Sequence, residues 1–309
     1  MMRRDFSKLL GISVGLVWVT GCSTGAPAIP GAPGDSGPIA PPTQDFTYTV
    51  GNHKLVFTES GTFRLDRAEC QVVKLNDDGT DGLTLGGFEA DGPLINFPVS
   101  VCTTKSGKIV VLERGSSCAT AFDGAGKVET LIGHAGNGAN DLLYPAAMLI
   151  DASDHLWITD TGNNRIQVYS LDGALVRSIG KYGSDSGNFN APRAIALDSD
   201  GDVHVLDSGN GRVQIFDANG KVKAIYGKPK DEALVGSFRT ANEIEFGPDK
   251  KIYVVDAQGG AIHIFDEDGI GKHYLTVKDT SGKLMRPLDV VFPPQKPAYI
   301  WAVPAEEHS

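Results

Sequence analysis

Apolar and polar residues alternate in short runs along the chain from residue 44 onward, and Gly, Asp and Asn separate the runs. Alternation over a few residues predicts β-strands joined by tight turns, and no helical period accompanies it. The segment 193–227 reads as four successive strands with turns, "RAIALDSDG", "DVHVLDSGNG", "RVQIFDANG" and "KVKAIYG". The pattern therefore predicts an all-β protein.

A repeat extends this four-strand unit along the chain. The stretch "DTGNNRIQV" at 160–168 recurs as "DSGNGRVQI" at 207–215. Stepping by a similar interval in both directions gives a series of anchor positions, namely Asp66, Glu113, Asp160, Asp207, Asp256 and Ala302. A second landmark lies upstream of each anchor, so that the units start near 51, 98, 145, 192, 241 and 287. Four antiparallel strands per repeat of this length are typical of a β-propeller blade.

The repeated residues resemble the NHL repeat, in the pattern P-x-x-I-A-L-D followed by V-L-D-S-G-N-x-R-V-Q-I-F-D-x-x-G. The resemblance covers about residues 51–303 and implies a six-bladed β-propeller of four-stranded antiparallel blades. The last unit has only two strands before the chain reaches Ser309. Because an open strand edge is a liability, we expect the β-rich run 45–50 to pair with the last blade and close the ring.

The recurrence of the turn favours a structural role, since a catalytic motif normally occurs once. Asp and Asn bond to nearby backbone amides in tight turns, and Arg is placed to pair with an aspartate. Gly162 and Gly209 are expected to supply a positive φ. An aromatic column that contains Trp157, His204 and Tyr253 is expected to be packing. The predicted blade lock consists of Asp160, Asn163, Arg165, Asp207, Asn210, Arg212 and Asp256.

The first two blades lack the Asn/Arg pattern and instead carry Cys70 and Cys118 at nearly equivalent positions. With Cys102, three thiols remain for the propeller if Cys22 is lipidated. Export permits a disulfide. The hypothesis is a Cys70–Cys118 bond between adjacent blades, with Cys102–Cys118 within the second blade as its rival.

Any ligand site should break the repeat rather than follow it. Two residues after the second landmark, the six units read His53, Ser100, Ala147, Ala194, Glu243 and Asp289. The three ionisable residues, His53, Glu243 and Asp289, belong to units that are neighbours in a closed ring. Carboxylates with an imidazole suit Ca²⁺ or Zn²⁺, so a cation or another ligand at the mouth of the axial tunnel is a hypothesis. The alternative is a solvated tunnel mouth.

The N-terminus reads as a targeting segment. Residues 1–21 combine the basic "MMRRDFSKLL" with an apolar run that is too short to span a bilayer. This segment resembles a lipoprotein signal, because "VTGC" ends at Cys22, and "RRDFSK" resembles a twin-arginine motif. Residues 22–43, rich in Pro and Gly, are expected to be a flexible tether, and 44–309 the propeller. The protein is expected to be exported and anchored to a membrane, with the outer membrane or periplasm favoured and the cell surface as the other location.

The net charge of the chain limits the classes of partner that it is expected to bind. The formal net charge is −10, and loss of residues 1–21 would remove more basic than acidic residues. An acidic surface argues against nucleic acid, and contact with the membrane is expected through the lipid only. The sequence favours a propeller that binds another envelope protein or a small ligand, with inter-blade loops 133–144, 180–190 and 227–239 as the contact surface. The alternative is an envelope hydrolase or lyase, similar to lactonases or amidating lyases, with an axial metal.

Overall fold

The fold was analysed in a computed structural model of the protein. The structure describes residues 14–16, 20–21, 47–49, 54–87, 95–227, 241–269, 271–277, 285–292 and 299–304. Cys22, the predicted tether and His53 lie outside these residues. Among the described residues, no helix has the length and apolar character needed to cross a membrane.

The described strands form six sheets, and five of these contain an antiparallel blade of four consecutive strands, one of them with a fifth strand at its edge. The first blade contains β4 Lys54–Thr58, β5 Gly61–Asp66, β6 Gln71–Leu75 and β7 Asp81–Gly86. The second contains β8 Pro98–Thr103, β9 Ile109–Glu113, β10 Cys118–Phe122 and β11 Val128–Ile132. The third contains β12 Met148–Ile150, β13 His155–Asp160, β14 Arg165–Ser170 and β15 Leu175–Ile179.

The fourth blade contains β16 Pro192–Leu197, β17 Val203–Asp207, β18 Arg212–Phe216 and β19 Val222–Tyr226. The fifth contains β20 Ala241–Phe246, β21 Lys251–Asp256, β22 Ala261–Asp266 and β23 Gly271–Thr276, with the short β2 Thr20–Gly21 along its outer edge. Two 3₁₀ turns, Thr161–Asn163 and Ser208–Asn210, follow β13 and β17. The predicted β-propeller with four-stranded antiparallel blades is confirmed.

The sixth sheet closes the ring. Strand β24 Met285–Val291 pairs with β25 Tyr299–Pro304, and β25 then pairs with β3 Thr47–Thr49. The chain segment predicted to complete the last blade therefore lies where it was expected, and it runs parallel to β25. Strand β1 Val14–Leu16 continues the sheet beyond β3.

The innermost strands of the blades, β4, β8, β12, β16, β20 and β24, contact one another around a closed ring, with β24 against β4. The hydrophobic core lies between blades rather than within them. One cluster combines Trp157 and Val168 of the third blade with Phe189, Val205 and Phe216 of the fourth. Similar clusters fill the other described blade interfaces. The inner strands surround a cavity of about 350 Å³.

Candidate functional site

The repeated turn ties the third blade to the loop that enters it. Asp160 Oδ1 accepts the Leu143 N–H at 2.6 Å, while its Oδ2 accepts from Asn163 and from Arg165 Nε, both at 2.8 Å. Arg165 also donates to the backbone carbonyls of Gly138 and Asp141 at 2.7 Å. The entry loop 133–144 is thereby held by a buried carboxylate and a guanidinium.

The fourth blade repeats this network almost atom for atom. Asp207 accepts the Asn190 N–H at 2.7 Å and the side chains of Asn210 and Arg212 at 2.8 Å. Arg212 continues to the carbonyls of Ser184, Asp185 and Asn188. The loops 133–144 and 180–190, expected from sequence to be a contact surface, are therefore held down by the lock.

The second blade keeps the lock with a glutamate at the anchor position, Glu113, which the predicted lock did not include. Glu113 Oε2 accepts the Asn96 N–H at 2.9 Å, so the anchor carboxylate again holds a backbone amide 17 positions upstream. Its Oε1 accepts from Thr120 at 2.5 Å in place of an arginine. In the fifth blade, Asp256 accepts the Gly259 N–H of its own turn at 3.0 Å. An acidic residue at the anchor position is therefore the feature that these turns share. The Asn and Arg of the third and fourth blades add further hydrogen bonds to it.

The expectation that Gly162 and Gly209 supply positive φ values is wrong. The left-handed residues are Asn164, with φ 55°, and Gly211, with φ 62°. A side chain on Gly162 would lie 2.7 Å from the Leu143 carbonyl oxygen, and one on Gly209 would lie 2.6 Å from the Asn190 oxygen. The two glycines are required because the turn presses against the backbone of the entry loop.

The aromatic column bonds to aspartates at the opposite end of the blades. Trp157 Nε1 donates to Asp151 at 2.9 Å, and Tyr253 OH donates to Asp249 at 2.8 Å. His204 is fully buried, with Nε2 2.9 Å from Asp198 Oδ2 and Nδ1 3.2 Å from the Tyr226 hydroxyl. His204 is thus a packed residue whose two ring nitrogens are both used inside the fold.

The three cysteines of the propeller, Cys70, Cys102 and Cys118, are free thiols in the structure. The hypothetical Cys70–Cys118 bond, and its rival Cys102–Cys118, are therefore not formed. Cys70 lies in the turn before β6 in a left-handed conformation, with φ 52°. Cys102 lies in β8 and Cys118 begins β10.

The axial position brings together two of the three predicted ligand residues, Glu243 and Asp289. Between them lies the ammonium group of Lys54, 2.5 Å from Glu243 Oε1 and 3.2 Å from Asp289 Oδ2. The Lys54 side chain is 14% exposed and the Asp289 side chain 3% exposed, so this ion pair is largely removed from water. Asp289 Oδ1 makes no hydrogen bond within the part of the chain that the structure describes.

Lys54, not His53, is the first-blade member of the inner column. Lys54 pairs with Leu65, as Ser100 pairs with Leu112 and Glu243 with Val255 in their blades. Stepping by a constant interval assigned His53 because the hairpin from Lys54 to Leu65 is one residue shorter than the hairpin from Ser100 to Leu112. It turns through Glu59 and Ser60, whereas the second blade uses the loop 104–108.

The described residues do not fit a bound metal ion. A Ca²⁺ or Zn²⁺ ion between Glu243 and Asp289 would have to take the place of the Lys54 ammonium, and like charges there repel. No group of three or more His, Cys, Asp or Glu side chains suitable for a metal occurs among the residues described. The carboxylates that the sequence pointed to are neutralised by a cation that belongs to the chain itself.

A third carboxyl group, Glu245, follows Glu243 on the same face of β20 and also lines the cavity. Burial raises the pKa of Glu245 well above its usual range, and the carboxylates of Asp289 and Glu243 add to this effect while Lys54 opposes it. Burial also raises the pKa of Asp289, to about 6. For Lys54, burial would lower the pKa, but Asp289 and Glu243 outweigh it and keep the ammonium charged. Groups with such shifts in a cavity are typical of functional sites.

The comparisons with known proteins agree with this architecture. A sequence profile of the NHL repeat matches residues 189–216, and a profile described as a 6-bladed beta-propeller matches residues 90–178. The chain is therefore a β-propeller with a match to the NHL repeat at 189–216. No curated protein sequence matches it.

Several solved structures share the fold of this propeller. A streptogramin B lyase is 17% identical over 82% of this chain and 76% of its own, with a TM-score of 0.60. A gluconolactonase from Xanthomonas campestris is 15% identical over 81% and 82%, with a TM-score of 0.57. A protein of unknown function from Bacteroides caccae is 12% identical over 84% and 90%, with a TM-score of 0.55. At these identities the likeness shows the fold alone.

Proposed function

We propose that this propeller is a binding module whose small ligand enters the axial cavity. The observation that carries the proposal is the cavity at the axis, lined by residues of the first five blades, in which Lys54, Glu243 and Glu245 converge and Asp289 pairs with Lys54 from β24. A concave site with a few converging polar groups and perturbed pKa values is the usual form of a ligand site. The locks hold the surrounding blades rigid, which lowers the entropic cost of binding.

The cavity can be blocked to test this proposal. Ala147 lines the cavity, and a larger side chain there would fill part of it. The matched control is Ala218→Phe, in the exposed turn between β18 and β19. Native mass spectrometry of protein incubated with envelope extract should show a small molecule retained by the wild type and by the Ala218→Phe variant, and lost in Ala147→Phe. Equal retention by all three proteins would contradict an axial site.

The proposed location is the cell envelope, through lipid on Cys22 and the tether 22–43. The support is the signal-like sequence 1–21, which ends in "VTGC". Cys22→Ser should release the protein from membranes after export, and fractionation of cells expressing both forms measures this. Continued membrane attachment of the variant would contradict the lipid anchor. A protein partner in the envelope remains the other form of the binding proposal, and no role with nucleic acid is proposed because the chain is acidic.

A second candidate function is a hydrolase or lyase that acts in the same cavity. The observation that favours it is the pKa of Asp289, raised to about 6, because a carboxyl group that exchanges protons near neutral pH suits general acid–base catalysis. The gluconolactonase and the streptogramin B lyase share the fold. Glucono-1,5-lactone and a streptogramin B are therefore the first substrates to assay. Turnover that disappears in Asp289→Asn would support an enzyme, and absence of turnover in the wild type would count against these two reactions.

A further inference from the structure

The axial cavity has two unlike walls. The inner column carries Lys54, Glu243 and Asp289 in blades one, five and six, with Glu245 two residues further along β20. On the opposite side, blades three and four present small or apolar side chains, Ala147, Leu149, Ala196 and Leu197. The cavity therefore suits a molecule with one polar end and one apolar end.

The polar wall carries more acid than base. Two carboxyl groups, Glu243 and Glu245, line the cavity beside Lys54, which is the only basic side chain among the described residues of the lining. The Lys54 ammonium is already shared with a third carboxylate, Asp289 on β24, at 3.2 Å. Asp289 is only 2% exposed, and its Oδ1 has no hydrogen-bond partner among the described residues. A buried carboxylate oxygen without a donor is costly. The cluster of Lys54 with its three carboxyl groups is therefore short of a hydrogen-bond donor and, once all three carboxyl groups ionise, short of positive charge, and Glu243 and Glu245 present this deficit to the cavity.

Resting on the proposed function, we infer that the ligand of the cavity is a small organic cation, a protonated amine that carries a short apolar chain. The ammonium supplies N–H donors and positive charge to the carboxyl wall, and the chain packs on Ala147, Leu149 and Ala196. Charge-assisted hydrogen bonds of this kind are the strong ones. The volume of about 350 Å³ lies at the small end of the range for ligand sites, so a short chain fits best.

Binding of such a cation is linked to proton release. Glu245 faces Asp289 on β24, Lys54 on β4 and Glu243 on its own strand, and it tends to keep its proton in this surrounding. A bound ammonium favours the ionised carboxylate, so the proton leaves Glu245 when the cation binds. The affinity for the amine should therefore rise as the pH rises from 6 to 8, while the amine itself stays protonated.

The test compares three probes with one chain and different head groups: pentan-1-amine, pentan-1-ol and pentanoate. Binding to the full-length protein is followed by the methyl NMR shifts of Ala147 and Ala196, which report from the cavity. We expect the amine to bind about ten-fold or more tightly than the alcohol, and pentanoate to bind least. Raising the pH from 6 to 8 should strengthen binding of the amine and leave binding of the alcohol unchanged.

The matched variants are Glu245→Gln, which keeps the shape of the side chain, and Glu129→Gln on the outer strand β11. Glu245→Gln should weaken binding of the amine about ten-fold or more without weakening binding of the alcohol, and Glu129→Gln should change neither affinity. If Glu245→Gln does not fold, the pH dependence in the wild type decides the question. Equal or tighter binding of the alcohol or pentanoate at the same methyl groups would overturn the cation inference and leave the small-ligand site standing. If no probe shifts these methyl groups, both proposals fail.

Discussion

The Lys54 ammonium lies 2.5 Å from Glu243 Oε1, although 189 positions separate the two residues in the sequence. The pair links the inner strands of the first and fifth blades, and Asp289 of the sixth blade completes it from between them. The propeller closes its ring of inner strands around this cluster. The internal cation explains why two buried carboxyl groups at the axis need no metal ion.

Removing the internal cation should destabilise the protein in a pH-dependent way. Lys54→Met keeps the apolar stem and leaves Glu243 and Asp289 without a counter-charge. We expect a loss of about 3 kcal/mol in the free energy of unfolding at pH 8, because an uncompensated buried charge remains. At pH 5 the loss should be smaller, since the pKa of Asp289 is already raised to about 6 with Lys54 present and protonation removes its charge. Denaturant unfolding at the two pH values measures the difference.

The control for this variant is Lys108→Met. Lys108 pairs with Glu129 at 2.7 Å, but both side chains are 37% exposed. The control should change stability by less than about 1 kcal/mol. A Lys54→Met protein that is as stable as the control at pH 8 would contradict the assignment of Lys54 as the internal counter-ion.

The contribution of Asp289 to the stability of the wild-type protein should decrease as the pH rises across the acidic range. The folded-state pKa of Asp289, about 6, lies above the ordinary value of 3.8, so the folded protein binds more protons than the unfolded chain in this window. Stability from this group is therefore complete below about pH 4 and is lost as the pH approaches 6, by an amount on the order of 2–3 kcal/mol. Comparison of the wild type with Asp289→Asn isolates the effect, because the variant does not titrate there. Parallel pH profiles for the two proteins would show that the pKa of Asp289 is not raised.

The blade lock should be more sensitive than an exposed turn to the loss of one charge. Asp160→Asn replaces an acceptor that serves Leu143, Asn163 and Arg165 at once. We expect a loss of about 2–4 kcal/mol, because it leaves a guanidinium and a backbone amide poorly paired. Asp217→Asn, in the exposed turn after β18, serves as the control. Similar denaturation midpoints for both variants would argue against a stabilising lock.

The three cysteines of the propeller should react as free thiols with different rates. Burial raises the pKa of Cys118 to about 12, and burial also raises the pKa of Cys102 above its usual range. Because the thiolate is the reactive species, both should be alkylated slowly by iodoacetamide at pH 8 and fully after denaturation without a reductant. Mass spectrometry of the peptides measures the extent. Recovery of a peptide that joins Cys70 to Cys118 would show that the predicted disulfide forms after all.

Ring closure should depend on the strand Thr47–Thr49. Tyr48→Pro removes a backbone N–H next to Ile300 in the parallel pair, and proline is not tolerated inside a sheet. We expect the melting temperature to fall by about 5 °C, with self-association through the uncovered edge of β25. Thr43→Pro, in the predicted tether, is the control. An unchanged melting temperature and a monomeric Tyr48→Pro protein would show that this strand does not hold the ring closed.

The repeat allowed the blades to be predicted because each blade is a local unit. Asp160 and Asp207 hold amides 17 positions upstream, and strands within a blade pair with their neighbours in sequence. Interactions over such short separations leave a regular trace in the sequence. The repeat marked Glu113 as an anchor but left it out of the predicted lock, since its longer side chain bonds to Thr120 without the Asn and Arg of the pattern.

The sequence by itself determined the β-propeller, the four-strand blades and the strand that completes the last blade, since alternation and turn chemistry are set by neighbouring residues. It also marked Glu243 and Asp289 as unusual within the repeat. Only the tertiary structure decided which residue faces them, because a hairpin shorter by one residue moves Lys54 into the place that counting gave to His53. Shifting a strand by one residue exchanges the side chains on its two faces. That single shift turns an expected metal site into a buried ion pair beside a cavity with an excess of carboxyl groups.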